Sequence, residues 1–192
     1  MNVWGHFKTI TYHRWLVCKG CFAVGLYRQG LTHDLSKYEP SEFWVGARYY
    51  QGNRSPNNAE REAIGYSGAW LHHKGRNKHH YEYWIDYSMH GGDGHMQPAP
   101  MPRRYIAEMV MDRIAACKVY EGENYTSASP LHYYLKGKNP AYMHSFTRKS
   151  LEKILTMLAE KGEKATYSYI KNVFLKSRSA RSRIKYSKTL KK

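Results

Sequence analysis

His33 and Asp34 stand side by side within Leu31-Thr32-His33-Asp34-Leu35-Ser36-Lys37-Tyr38. The pair sets a neutral nitrogen ligand next to an anionic oxygen ligand. One more histidine and one more carboxylate would close a cation site around it, and the chain offers His13 upstream and Asp112 downstream. Between them runs His72-His73-Lys74-Gly75-Arg76-Asn77-Lys78-His79-His80. Imidazole suits borderline divalent metals, while carboxylate adds charge and favours harder ions. A His/Asp set without Cys therefore points to one or two octahedral divalent ions. Mn or Fe come first, then Ni, Co, Zn or Mg, and a structural zinc site fits less well.

Ligands so far apart in the chain must be brought together by packed helices, and the apolar spacing is helical nearly throughout. Val3, Phe7, Ile10, Val17, Cys21 and Val24 form one stripe, whose gap is filled by His13 or Arg14. His6 shares that inward face and is a reserve ligand. Pro40 opens a second helix with Phe43, Trp44, Ala47 and Tyr50 on its apolar side. After the loop at Gly52–Asn57, a helix with Ala59, Ala63, Ile64, Ser67, Trp70 and Leu71 delivers His72 and His73, and Gly75 is expected to break it. A short helix from Lys78 carries His79, His80 and Trp84. Residues 90–102, rich in Gly and Pro, read as a loop long enough to form a lid, with His90 and His95 in it.

A helix from Pro102 to Tyr120 puts Asp112 on the stripe of Tyr105, Met109, Ala116 and Val119. A bare carboxylate there would be costly, so it needs a partner. Leu151, Ile154, Leu155 and Leu158 form an amphipathic helix ending near Gly162, and Tyr167, Ile170, Val173 and Phe174 suggest another. No strand pair is evident. The expected fold is all-α: a helical bundle with a metal site between helices at 1–147, a helical extension at 148–175, and a basic, disordered tail at 176–192.

The chain has 192 residues, 42% of them hydrophobic, which suffices for a core. Its net charge is +16 and its 18 tyrosines are many. From Arg148 onward there are 14 Lys and Arg against 3 Asp and Glu, so the C-terminal end is the basic one. Such a tail attracts nucleic acid or other polyanions, or merely keeps the chain solvated. The first residues lack a basic-then-apolar leader, and no apolar run reaches the ~20 residues a membrane span needs. A cytoplasmic protein is expected. The three cysteines do not suggest a disulfide framework; Cys18-Lys19-Gly20-Cys21 reads as two core or near-core residues of a helix. Oligomeric state is not legible.

The order His13, His33-Asp34, paired histidines, Asp112 resembles the HD superfamily of metal-dependent phosphohydrolases, over roughly residues 6–120. The overall look is that of uncharacterised bacterial and phage proteins with the same pattern. The resemblance implies a first metal held by His13, His33, Asp34 and Asp112. It implies a second held by two intervening histidines, with Asp34 bridging. His73 and His80 are the choice, with His72 and His79 as alternatives. Lys37 stands where many members carry the Lys of a His-Asp-x-Gly-Lys motif, although Ser36 replaces the Gly. The Gly-Tyr-Pro signature of cyclic-dinucleotide phosphodiesterases is missing, which argues against that substrate.

The implied activity is hydrolysis of a nucleotide or related phosphoester by a metal-activated hydroxide, with two metals about 3.5–4 Å apart clamping the attacking and leaving oxygens. Asp34 and Lys37 would be the catalytic residues, and Lys37, Arg76 and Lys78 would bind the phosphate. Two alternatives stay open. One is an HD-fold di-iron oxygenase; the other is a non-enzymatic nucleic-acid binder with a structural metal site.

Overall fold

The structure, a computed structural model, describes residues 1–88, 95–137 and 142–177. Among these residues it is all-α apart from one small hairpin. α1 (Val3–Ala23) starts where the Asn2 side chain accepts a hydrogen bond from the Gly5 amide at 2.8 Å, satisfying one of the free donors of the first turn. α2 (Tyr27–Thr32) folds back on α1. Gly30 permits the approach, since a Cβ there would press on Cys21, Phe22 and the Cys18 carbonyl. A 3-10 turn (Leu35–Tyr38) leads to α3 (Pro40–Arg48), which has its proline in the first turn.

The single helix expected to carry Ala59 through His73 is two. α4 (Pro56–Ile64) stops at Gly65, whose φ of 84° is left-handed, and α5 (Gly68–Arg76) restarts after Ser67. The Ser67 hydroxyl accepts from the Trp70 amide at 3.0 Å, and Glu60 Oε1 accepts from the Gly68 amide at 3.1 Å. The break is thus held by caps on both sides. Gly75 does not end α5, which runs on to Arg76. His79 and His80 lie in the turn after it, ahead of a 3-10 segment (Tyr81–Trp84).

The region read as a loop, 90–102, contains β2 (Met96–Pro98), which pairs antiparallel with β1 (Ile85–Tyr87) just before it, Ile85 opposite Pro98 and Tyr87 opposite Met96. Three-residue strands carry too little alternation to be seen in sequence. His95 is exposed; His90 and the glycines at 91–94 lie outside the described residues. α6 (Arg103–Glu121), α7 (Ser129–Lys136) and α8 (Ser145–Tyr169) follow, the last passing into a π-turn (Ile170–Phe174). α8 is bent at Gly162, where φ is 72°. Lys118 Nζ lies 2.6 Å from Glu163 Oε1 and ties the bend to α6. The tail reading at 176–192 falls almost wholly on 178–192, outside the described residues.

α6 is the central helix, packed on α1, α7 and α8. Ile106, Val110, Met111 and Ile114 meet Leu151, Ile154, Leu155 and Leu158 of α8 in the apolar core, joined by Val17, Cys21 and Val24 from α1. Ile170 and Phe174 of the π-turn enter the same core, whereas Val173 is half-exposed. Cys18, Cys21 and Cys117 are free thiols, Cys21 and Cys117 buried and Cys18 half-buried. No helix among the described residues is long and apolar enough to cross a membrane.

The N-terminal helices face inward differently from the apolar reading. Val3 and Phe7 are exposed, and the buried stripe of α1 is His6, Ile10, His13, Val17, Gly20 and Cys21. On α3 the inward residues are Glu42, Gly46 and Ala47, with Trp44 outside. Ala63, Ile64 and Leu71 are also on the surface.

Candidate metal centre

Three helices and two turns aim polar side chains at one buried point. α1 supplies His13, α5 supplies His73, and the turn after α5 supplies His79 and His80. α6 supplies Glu108 and Asp112, one helical turn apart on one face. His33 and Asp34 come from the link between α2 and the 3-10 turn. Asp34 is left-handed (φ 52°, ψ 30°), the one non-glycine residue with positive φ among those described. Such a conformation costs on the order of 1–3 kcal/mol and collects at functional sites. Here it lets two neighbouring side chains enter the same interior.

Asp34 sits at the middle, with neither carboxylate oxygen exposed. Its Oδ2 is 3.4 Å from His33 Nε2 and 3.8 Å from His13 Nε2. Asp112 Oδ1 completes that side, 3.0 Å from His13 Nε2 and 3.6 Å from His33 Nε2. The other oxygen, Oδ1, is 3.3 Å from both His73 Nε2 and His79 Nε2. His80 Nε2 lies 2.9 Å from His73 Nε2. Two four-residue clusters thus share Asp34: His13, His33, Asp34 and Asp112, and Asp34, His73, His79 and His80. In each, the ligand atoms lie within 4.8 Å of one another.

An outer layer orients the rings. Glu108 Oε1 lies 3.0 Å from His33 Nδ1 and 3.2 Å from His79 Nδ1. Glu42 takes His73 Nδ1 at 2.8 Å and His72 Nδ1 at 2.6 Å. A carboxylate opposite Nδ1 makes that nitrogen the proton donor and leaves Nε2 a bare lone pair. The Nε2 atoms of His33, His73 and His79 therefore turn lone pairs toward a carboxylate. Such an array repels itself unless positive charge, a metal ion or an added ring proton, lies inside it. His33 Nε2, His79 Nε2 and Asp34 Oδ1 are buried and make no hydrogen bond, while Asp34 Oδ2 pairs with the Lys37 ammonium at 2.7 Å and His13 Nε2 faces Asp112. This donor set fits divalent metal ions.

The electrostatics agree. Burial opposes charge on Asp34 and Asp112, but the facing histidines, and Lys37 beside Asp34, outweigh it and hold both carboxyls well below the usual range. Burial also opposes charge on His33, yet Asp34, Asp112 and Glu108 push its pKa up to about 10. His80 is driven well below the ordinary histidine value by burial and by its neighbours His79 and His73.

Each candidate ligand singled out from sequence has a definite place. His13, His33, Asp34, His73, His80 and Asp112 all converge. Of the paired histidines, His73 enters and His72 is turned to Glu42 and Glu39, while His79 and His80 both enter. His6 is not part of either cluster. Its ring lies over Gly46, where a Cβ would overlap it, between Phe43 and Tyr50. Burial first, then Lys37, lower its pKa to about 4, so it is neutral. His144 caps α8 by accepting from the Phe146 amide at 3.1 Å.

A cavity of about 610 Å³ opens on the centre. His13, His73, His80 and Asp112 form part of its wall, and Lys37, whose Nζ is 2.7 Å from Asp34 Oδ2, borders it. Arg76 and Lys78, expected to bind phosphate, do not line it. Arg76 is exposed near Glu39, and Lys78 lies over Tyr83. The lining cations besides Lys37 are Arg54, Arg113 and Lys136, with Trp70, Tyr81, Tyr120, Tyr133 and Tyr134 among the aromatics. These cations are not legible in sequence because none is near His33-Asp34 or the paired histidines in the chain. Sequence reasoning also missed Glu42 and Glu108. Their spacing, Glu108 one helical turn before Asp112 and Glu42 within a turn of Pro40, was the available signal.

Residues 2–157 match the Family of unknown function (DUF5662), and the chain belongs to it. No curated protein and no solved structure matches the chain.

Proposed function

We propose that this DUF5662 member is a dinuclear metal-dependent phosphohydrolase acting on a nucleotide or related phosphoester. The observation that carries the reading is Asp34: each of its two buried oxygens faces its own set of histidines, the arrangement of a carboxylate shared by two cations. His13, His33 and Asp112 would complete one position, and His73, His79 and His80 the other. Bound there, divalent ions supply Lewis acidity and a lowered pKa for water, the chemistry that phosphoester hydrolysis needs at neutral pH.

The chain's own residues favour an anionic substrate. Lys37 and Arg113 border the cavity beside the clusters, and Arg54 and Lys136 add positive charge to its wall. Charge-assisted hydrogen bonds from such groups hold phosphoryl oxygens and stabilise charge that develops on them. Trp70 and Tyr120 offer aromatic surface to a base. Glu108 and Glu42 keep the histidine rings in the ligating tautomer. The side chains of His33 and Asp34 are buried, and the cavity brings water and substrate to the neighbouring His13, His73, His80 and Asp112.

The test is metal analysis of the purified chain grown with Mn, Fe, Co, Ni or Zn, coupled to a screen of nucleoside mono-, di- and triphosphates and phosphodiesters. The expected result is close to two ions per chain and turnover of at least one phosphoester, both lost in Asp34→Asn. A chain that retains no ion under any of these supplies overturns the reading. So does an iron-loaded chain that consumes dioxygen and releases no phosphate.

A further inference from the structure

α1 carries a second pattern on the side turned away from the metals. Trp4, Lys8, Tyr12, Trp15, Lys19 and Phe22 follow one another at spacings of 4, 4, 3, 4 and 3 residues. At about 100° per residue they fall within an arc of about 80°, in a ridge about 27 Å long. All six are exposed, Trp4 62%, Tyr12 50%, Trp15 51% and Phe22 40% among them. The opposite side of the helix is the buried one, so packing does not account for aromatic residues here. A contiguous aromatic ridge on a surface marks an interaction site. We propose that this ridge seats the protein on an anionic lipid surface as a peripheral, non-spanning attachment.

Charge narrows the occupant. The first 33 residues contain four cations, Lys8, Arg14, Lys19 and Arg28, and no carboxylate. A second copy is disfavoured, because an antiparallel pairing of two such helices centred near residue 13 would set Lys8 against Lys19 of the other copy. The partner must be anionic. Single-stranded nucleic acid would need free ring faces to stack on. Here the rings are already engaged. Trp4 stacks on Phe7 at 5.7 Å and Trp15 on Tyr12 at 5.8 Å. An ammonium lies over each indole, Lys8 at 5.0 Å and Lys19 at 4.3 Å.

What the ridge presents outward is therefore indole and phenol edges flanked by ammonium groups. Trp and Tyr sit at the boundary of headgroup and acyl chain, where one end of the ring is dry and the other wet. Lysines beside them are attracted to acidic headgroups. Tyr27 of α2, 58% exposed, sets its ring edge-on to Phe22 at 5.1 Å and lengthens the ridge. The wall of the cavity takes Thr9, Ile10 and His13 from the other side of α1. Docking by the ridge leaves that cavity clear of the bilayer.

The experiment uses the full chain with vesicles of phosphatidylcholine alone and with phosphatidylserine at roughly 7:3. Binding is read by co-sedimentation, and depth by quenching of tryptophan fluorescence with lipids brominated near the headgroup. Trp4→Ser/Trp15→Ser and Lys8→Gln/Lys19→Gln are compared with Trp44→Ser, an exposed tryptophan of α3 away from the ridge. All retain the C-terminal cations, so attraction by those is common to every sample. Expected are binding to the acidic vesicles and quenching in the parent chain. Partitioning should fall about tenfold or more in each double variant, with no change in Trp44→Ser. Equal partitioning of parent and double variants, or no quenching, overturns the proposal. So does a ridge-dependent affinity for a single-stranded oligonucleotide, or a ridge-dependent dimer, without one for lipid. Should the tryptophan variant fail to fold, the lysine variant, which keeps every ring, decides the outcome alone.

Discussion

The two faces of α6 are packed by opposite chemistries. Toward α8, Ile106, Val110, Met111 and Ile114 meet four leucine and isoleucine side chains with no exposure at all. Toward α1 and the turn after α5, Glu108 and Asp112 of the same helix meet three histidines, His13, His33 and His79, and Asp112 shares a cluster with Asp34. The apolar half is held by surface removed from water, and any side chain of similar shape would serve it. The polar half holds mutually repelling lone pairs and carboxylates and is stable only with positive charge inside it. One helix therefore divides a part that folds the chain from a part that the fold must restrain.

The largest test of that division is Asp34→Asn. The amide removes the shared negative charge from both clusters, so metal content should fall to background and metal-dependent turnover with it. The loss should exceed the roughly 10–100-fold typical of changes to groups that only support a ligand. Metal analysis and a phosphate-release assay read it. Retention of two ions in this variant would mean that Asp34 does not bridge.

Leu155→Ala is the counterpart in the apolar half. Leu155 has no exposed surface, so truncation removes buried apolar area and leaves a void, at a cost of about 2–5 kcal/mol. Denaturant unfolding of the metal-loaded chain measures it. The number of ions bound per folded chain should stay as in the parent. A loss of metal at unchanged fold would show that the two halves are coupled through α6.

Glu108→Ala probes the border between them. Its Oε1 orients both His33 and His79, so metal affinity should fall about 10–100-fold in a chelator competition. Glu108→Gln should lose less, because the amide oxygen still accepts from both rings although the charge is gone. Equal losses in the two variants would assign the effect to charge rather than to orientation.

The same contrast explains what could be read from sequence. In α8 the inward residues are apolar, so the spacing of Leu151, Ile154, Leu155 and Leu158 located the buried face correctly. In α1 and α3 the inward residues include His6, His13 and Glu42, and a search for apolar spacing slid toward Val3, Phe7 and Trp44 instead. The converging set of His13, His33, Asp34 and Asp112 was legible because residue type alone marked it. Glu42 and Glu108 were not, since a carboxylate in a helix is ordinarily a solvated one. The choice within His79 and His80 depended on a turn between α5 and the 3-10 segment, and both enter because the chain there is not helical.

The smallest effect should come from Leu71, which apolar spacing places inside and the fold leaves 52% exposed on α5, two residues before His73. Full burial of a leucine contributes about 1.5–3 kcal/mol, so a side chain half in water has about half of that to lose. Leu71→Ala should thus destabilise by about 1 kcal/mol or less. Alanine also favours helix slightly over leucine, which offsets part of the loss. Unfolding measured beside Leu155→Ala gives the comparison directly. If Leu71→Ala costs as much as Leu155→Ala, α5 is seated more deeply than its exposed face implies, and His73 is held by apolar packing as well as by Glu42.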